Sequence, residues 1–199
     1  KHGACQEFSV CEYEDKETGK LEYVTVGFTS VVSGGKGGRS EVLVKTEYFV
    51  DGNGNIELTT YFDNSKNADF RRLGLQVMLD GSIENVEYIG RGPMENYPDR
   101  KDCAFVGRYA TTVSDMREDY IKPQSMGERC DVSSLALTDK DGRGICITRL
   151  SGDLMFSAQH YTDEDLWNTK YLHQLKDIKR KETVLHLDAA MRGLGNASC

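Results

Sequence analysis

One stretch gathers most of the residues that could do chemistry. Residues 90–101 read GRGPMENYPDRK and hold two of the chain's three prolines, Pro93 and Pro98. Arg91, Glu95, Asp99 and Arg100 stand among them, with Asn96 and Tyr97 between. Carboxylates and guanidinium groups at this spacing can exchange protons, bind a polar ligand or pin a loop by charge-assisted hydrogen bonds. Gly90 and Gly92 permit close backbone approach, and Pro93 restricts Gly92. Spacing alone leaves two readings open: a charged loop that pins itself, and a polar surface facing a ligand or another domain. His160, His173 and His186 are the other candidates. They are 13 residues apart, too far for one helix face, and no carboxylate is placed to complete a metal site. His160, at the end of Ser157-Ala158-Gln159-His160-Tyr161, is the best placed for a ligand or a buried hydrogen bond. There is no GxSxG and no interpretable nucleophile–base pair. Ser33-Gly34-Gly35-Lys36-Gly37-Gly38-Arg39 lacks the GxxxxGK[ST] spacing, and a strand rather than a helix follows it. A mobile hairpin or bulged loop is expected there.

The elements that must carry these residues read as strands. Period-two alternation runs through 22–28, 40–50 and 56–62, and predicts half-buried antiparallel strands. Asp51-Gly52-Asn53-Gly54 supplies the turn of a hairpin between the last two. A second hairpin is predicted around Asp139–Gly142, joining 133–138 to 144–149, with the outgoing strand apolar enough to be internal. Further strands are expected at 86–89, 155–157 and 183–187. Thr162-Asp163-Glu164-Asp165 predicts the capped start of a short helix ending near Thr169. The basic run 176–181 is expected to be a solvated loop or hairpin.

Bulk properties narrow the function classes. The chain has 199 residues, 38% hydrophobic and 29% charged, which fits one all-β domain spanning 1–199. Its net charge of -7 argues against a nucleic-acid partner. No apolar run approaches the roughly 18 residues of a membrane helix. Six scattered cysteines without zinc spacing are expected to be buried thiols rather than a disulfide framework. The chain opens on Lys1-His2-Gly3, as an excised or processed segment would, and this start gives no compartment.

Four ordered blocks then match a known pattern. GRGPMENYPDRK resembles the G-x-G-P-x-E-N-Y-x-D-R signature of the C-terminal, small-chain domain of family 2 β-galactosidases. Tyr120 to Asp131 resembles the family's Y-x-x-P-Q-E-x-G-x-R-x-D block. Phe156 to Thr162 with Leu166 resembles F-S-A-x-x-Y-x-x-x-x-L. Leu187-Asp188 through Cys199 resembles the D-x-x-x-x-G-x-G-x-x-S-[WC] ending.

The resemblance implies a supersandwich of large antiparallel sheets, similar to galactose mutarotase. It implies a part in the retaining hydrolysis of terminal β-D-galactosides, which uses two carboxyl groups about 5 Å apart. In the family both are glutamates on a TIM barrel of about 250 residues, so no catalytic residue is expected here, and Glu95 and Glu128 are not candidates. The domain is expected to form part of the active-site wall and to be incomplete at its C-terminus. Asn196, Ser198 and Cys199 would approach the sugar, with Cys199 where many relatives have Trp, and Gly34 and Gly35 would lie near the rim. Arg91, Glu95, Asn96, Tyr97, Asp99, Arg100 and His160 would be structural or interdomain residues. No metal or other cofactor is expected on this chain, any Mg or Na belonging to the barrel. The expected partners are the remaining domains of the enzyme, a galactoside in the assembled protein and further copies of the full-length enzyme. The resemblance points to a bacterial protein of the cytoplasm or periplasm. Two rivals share the fold: a free-standing carbohydrate-binding module, and an aldose 1-epimerase-like enzyme using His160 with a carboxylate.

Overall fold

The computed structural model describes residues 2–34, 40–65, 70–191 and 193. Among them are eleven strands, one α-helix and one 3-10 helix. The chain divides into two compact units, Lys1–Asp69 and Phe70–Cys199.

The first unit is a four-stranded antiparallel meander of β1 (His2–Glu14), β2 (Leu21–Gly34), β3 (Ser40–Asp51) and β4 (Ile56–Asp63). Alternation sorts its two faces. Val10, Val26, Tyr48 and Leu58 pair across the sheet on one face. The other face carries the stacked rings of Tyr13 and Tyr23, with centroids 4.4 Å apart. The predicted hairpin is present. Asp51 Oδ1 accepts the amides of Asn53 at 2.8 Å and Asn55 at 2.9 Å, and Gly54 takes φ +86°. That left-handed conformation is one a side chain resists. Gly34 pairs with Ser40 at the mouth of a second hairpin, whose residues 35–39 lie outside the described residues. β1 escaped the sequence reading because a register shift between Cys5 and Glu7 breaks its period of two.

The second unit is an all-β sandwich, the architecture that the resemblance implies. One sheet orders β7 (Phe105–Thr112), β6 (Asn85–Gly92), β8 (Ser134–Thr138) and β9 (Gly144–Thr148). The other orders β10 (Met155–Gln159), β11 (Thr183–Met191) and β5 (Arg72–Leu79). Val86, Tyr88, Leu135 and Leu137 of the first sheet meet Phe156, Ala158 and Leu185 of the second in one core. Each of the Val, Leu and Phe side chains contributes about 1.5–3 kcal/mol by leaving water. The hairpin over Asp139–Gly142 forms as predicted, but β9 is an edge strand rather than an internal one. Ile145 and Ile147 face the core while Cys146 faces out, so its apolar composition reflects one buried face and not two. The cysteines also differ from expectation. The five described are free thiols, and of them Cys130 is buried while Cys5, Cys11, Cys103 and Cys146 are exposed.

Helix α1 (Asp163–Asn168) starts at the predicted residue. Thr162 Oγ1 accepts from Asp165 N at 3.1 Å, and Asp165 Oδ2 accepts from Thr162 N at 2.9 Å, a reciprocal cap. Lys122 Nζ donates to Trp167 O at 2.8 Å and so serves the helix's last turn. The basic run 176–181 begins in the last turn of a 3-10 helix, Leu172–Asp177. Its Arg180 is held by Asp165, with Nη2 at 3.0 Å from Oδ1 and Nε at 2.5 Å from Oδ2. This fork lowers the Asp165 pKa to about 2. The stabilisation it gives is present above the unfolded carboxylate range, near 4, and is lost as pH falls through about 2. Thermal melts taken down the acid limb are expected to show this loss in the wild type, and Asp165→Asn is expected to remove that part of it.

Candidate functional site

The face of sheet β10-β11-β5 that turns away from the core is polar, yet it is buried along β10 and β11. Ser157, His186 and Asp188 are 1%, 7% and 1% exposed. Alternation assigns such residues to solvent. Here Arg72 of β5 and Glu128 of the segment 120–131 meet Ser157 and Asp188 instead, and buried polar groups persist only where polar partners serve them.

Glu95 organises the loop and is 4% exposed. Its Oε2 accepts from Tyr97 Oη at 3.0 Å and from Gly127 N at 3.0 Å. Its Oε1 accepts from Tyr120 Oη, and Arg100 Nη1 lies 3.4 Å away. Burial and the Glu95 charge push both phenols up, so each stays a donor. Asn96 is fully buried and staples the loop down. Its Nδ2 donates to Arg91 O and Met94 O, each at 3.0 Å, and its Oδ1 accepts from Cys130 N at 2.9 Å. The Cys130 thiol is pushed up to about 12 by burial and by the Glu128 charge, so it is no nucleophile. Arg91 Nε bonds Asp131, and Nη1 reaches Ala104 O at 2.9 Å. Gly127, at φ +77°, has no room for a Cβ beside Met116 O and Gln159. It could be no other residue without strain.

The loop therefore pins itself, and Tyr97 is fully buried although it follows a charged, proline-flanked run. Pro93, Met94, Pro98, Asp99 and Arg100 remain on the surface. Asp99 lies against Gly193, where a Cβ would overlap its carboxylate. The loop thus touches the chain just beyond β11.

His160 sits apart from this network. Its Nδ1 is 3.2 Å from Glu182 O and its Nε2 is 3.0 Å from Glu84 Oε2. Both partners are acceptors, so whichever ring nitrogen carries a proton has one of them to donate to. A cavity of about 40 Å³ beside it is lined by Ser114, Arg117, Gln159 and Lys179. Asn196, Ser198, Cys199 and Gly35 lie outside the described residues, and Gly34 ends β2 in the first unit.

Sequence reasoning did not single out Arg72 or Asp188. Arg72 reaches Glu128 Oε2 at 2.7 Å, Asp163 Oδ2 at 2.9 Å and Asp188 Oδ2 at 3.1 Å. A single charge in a strand carries no signal that it will be covered; the one available hint was the position of Asp188 at the head of the last matching block.

Comparison with known proteins agrees with the convergence of these blocks. The β-galactosidase small-chain family model matches residues 2–199. A β-galactosidase of Streptococcus thermophilus is 30% identical over 159 residues, covering 79% of this chain and 15% of that protein. One of Psychromonas ingrahamii is 29% identical over 150 residues, covering 75% and 14%. β-Galactosidase 2 of Enterobacter cloacae is 36% identical over 142 residues, covering 71% and 12%. The chain thus spans less than a sixth of the length of these curated relatives. With a family match that runs from its second residue to its last, the chain belongs to the β-galactosidase small-chain family.

Proposed function

We propose that this chain is the C-terminal region of a family 2 β-galactosidase. In this reading it forms part of the active-site wall and carries interdomain contacts, while the catalytic glutamates lie on a barrel outside it. One observation carries the reading: four blocks far apart in sequence converge on one polar face. Glu95 of the first binds Tyr120 and Gly127 of the second. Arg129 of the second exchanges backbone hydrogen bonds with Phe156 of the third, at 2.8 and 3.0 Å. Asp99 of the first packs on Gly193 of the fourth. Such bracing suits a surface that must hold its shape beside a substrate or a neighbouring domain. The buried carboxylates it uses, Glu95 and Glu128, are committed to partners within the chain and are not free to act on a sugar. Asn196, Ser198 and Cys199 are the residues of this chain that we propose for contact with the galactoside. The test is to assay a chromogenic β-galactoside with the full-length enzyme and with the 199-residue chain alone. Hydrolysis by the full-length enzyme and none by the chain is expected. Turnover by the purified chain would overturn the reading.

A further inference from the structure

A buried carboxyl pair lies where β11 approaches its end. The Glu128 and Asp188 side chains are both 0% exposed, and each faces the Arg72 guanidinium. Asp163, the third carboxylate on Arg72, is 39% exposed and keeps contact with water. Among the described residues one cation thus stands against two carboxyl groups that have no solvent. If both were ionised, one buried negative charge would be left uncompensated, an arrangement that folded proteins avoid. The hydrogen bonding points the same way. Glu128 Oε1 and Asp188 Oδ1 are buried and receive no hydrogen bond from a donor among the described residues. On the β5 side Asp188 Oδ1 packs on Gly74, where even a Cβ would overlap it, so that position offers Oδ1 no side-chain donor. The missing donor is one that a carboxylic acid carries itself.

We propose that Glu128 and Asp188 share one proton at neutral pH, and that this proton locks β11 to the 120–131 segment. Every element around the pair bears on this assignment. Arg72 comes from β5, Asp163 from α1, Ser157 from β10 and Tyr97 from the loop after β6. His186 stands two residues before Asp188 on the same face of β11, and Cys130 lies two residues beyond Glu128. Arg72 and the half-exposed Asp163 form the charged rim; Tyr97 and Cys130 stay neutral because burial raises both. Burial also pushes both carboxyl groups up, and the Glu128 charge pushes Asp188 further.

The sign follows from proton linkage. A carboxyl whose folded pKa is raised binds its proton more tightly in the folded chain than in the unfolded one. The stabilisation is complete below the unfolded value, near 4. It is lost as pH rises through the folded value, the opposite of the Asp165–Arg180 fork. A rise in pH thus unlocks the join between β11 and the segment beneath it. This lock does not depend on what the assembled protein hydrolyses.

Infrared spectroscopy of the full chain tests the proton directly. The carbonyl band of a buried, protonated carboxylic acid is expected at neutral pH, shifting on deuterium exchange and absent from both Asp188→Asn and Glu128→Gln. Thermal melts across the alkaline limb supply a second readout. The wild type is expected to lose stability with rising pH, whereas Asp188→Asn, whose amide replaces the shared proton, is expected to show a flatter profile. At the alkaline end it is expected to melt higher by on the order of 3 °C. Glu128→Gln gives the same comparison if Asp188→Asn does not fold. A neutral-pH spectrum of the wild type without the acid band overturns the proposal, as does a band that survives both substitutions or an alkaline slope unchanged in the variant that folds.

Discussion

Glu95→Ala is expected to destabilise the second unit by about 3–5 kcal/mol, the cost of breaking a buried charge-assisted network by removing one member. Four groups lose their acceptor at once: the Tyr97 and Tyr120 hydroxyls, the Gly127 amide and the Arg100 guanidinium. Gly127 cannot move to find another, because its left-handed backbone is packed against Met116 and Gln159. The Tyr97 phenol is a fully buried donor, and that of Tyr120 is part-buried. Tyr120→Phe removes one of the four bonds and is expected to cost about 1 kcal/mol. Urea titration of the three proteins measures both numbers. An alanine variant within 1 kcal/mol of wild type would mean that the loop is held by backbone packing and that its carboxylate is incidental.

Arg72→Met is expected to cost as much or more, again about 3–5 kcal/mol near neutral pH. The substitution keeps an apolar stem of similar length and removes the cation that faces Glu128, Asp188 and Asp163. Glu128 and Asp188 then stand together with no positive charge. The loss should shrink toward acid pH, where both can hold protons, and deepen as pH rises. Adding Asp188→Asn to Arg72→Met removes one of the two stranded carboxyl groups and is expected to recover part of the loss. A double-mutant cycle under denaturant reads that recovery as a coupling energy. Simple additivity of the two substitutions would show that Arg72 and Asp188 do not act on each other.

Local chemistry is what the sequence displays best. The Asp51 turn and the Thr162 cap could be read directly, since each is a side chain bonding its own neighbouring backbone. β5 could not, because it is defined by pairing with β11, at the far end of the same unit. The loop at 90–101 was visible as a density of charge, and spacing left it between self-pinned and outward-facing. Burial decided for the first at Glu95, Asn96 and Tyr97 and left Asp99 and Arg100 at the surface. Arg72 and Asp188 were invisible as a pair. Their meeting needs β5 and β11 to pair and the segment 120–131 to fold over them, and no local pattern announces either event.

The position of β11 has a consequence for how the chain comes to be folded. It is the central strand of its sheet, with β10 on one side and β5 on the other, and it is also the last of the described strands in sequence. During synthesis β5 is made early and waits, with Leu73, Leu75, Val77 and Leu79 lacking the partner that aligns them. The entropy of closing so long a loop must be met before any of that pairing is gained. The β1–β4 meander, made of neighbouring hairpins, has no such delay. A nascent chain halted before Thr183 therefore holds two strands with nothing between them, and an unprotected apolar edge of that kind is what chaperones recognise and what aggregates.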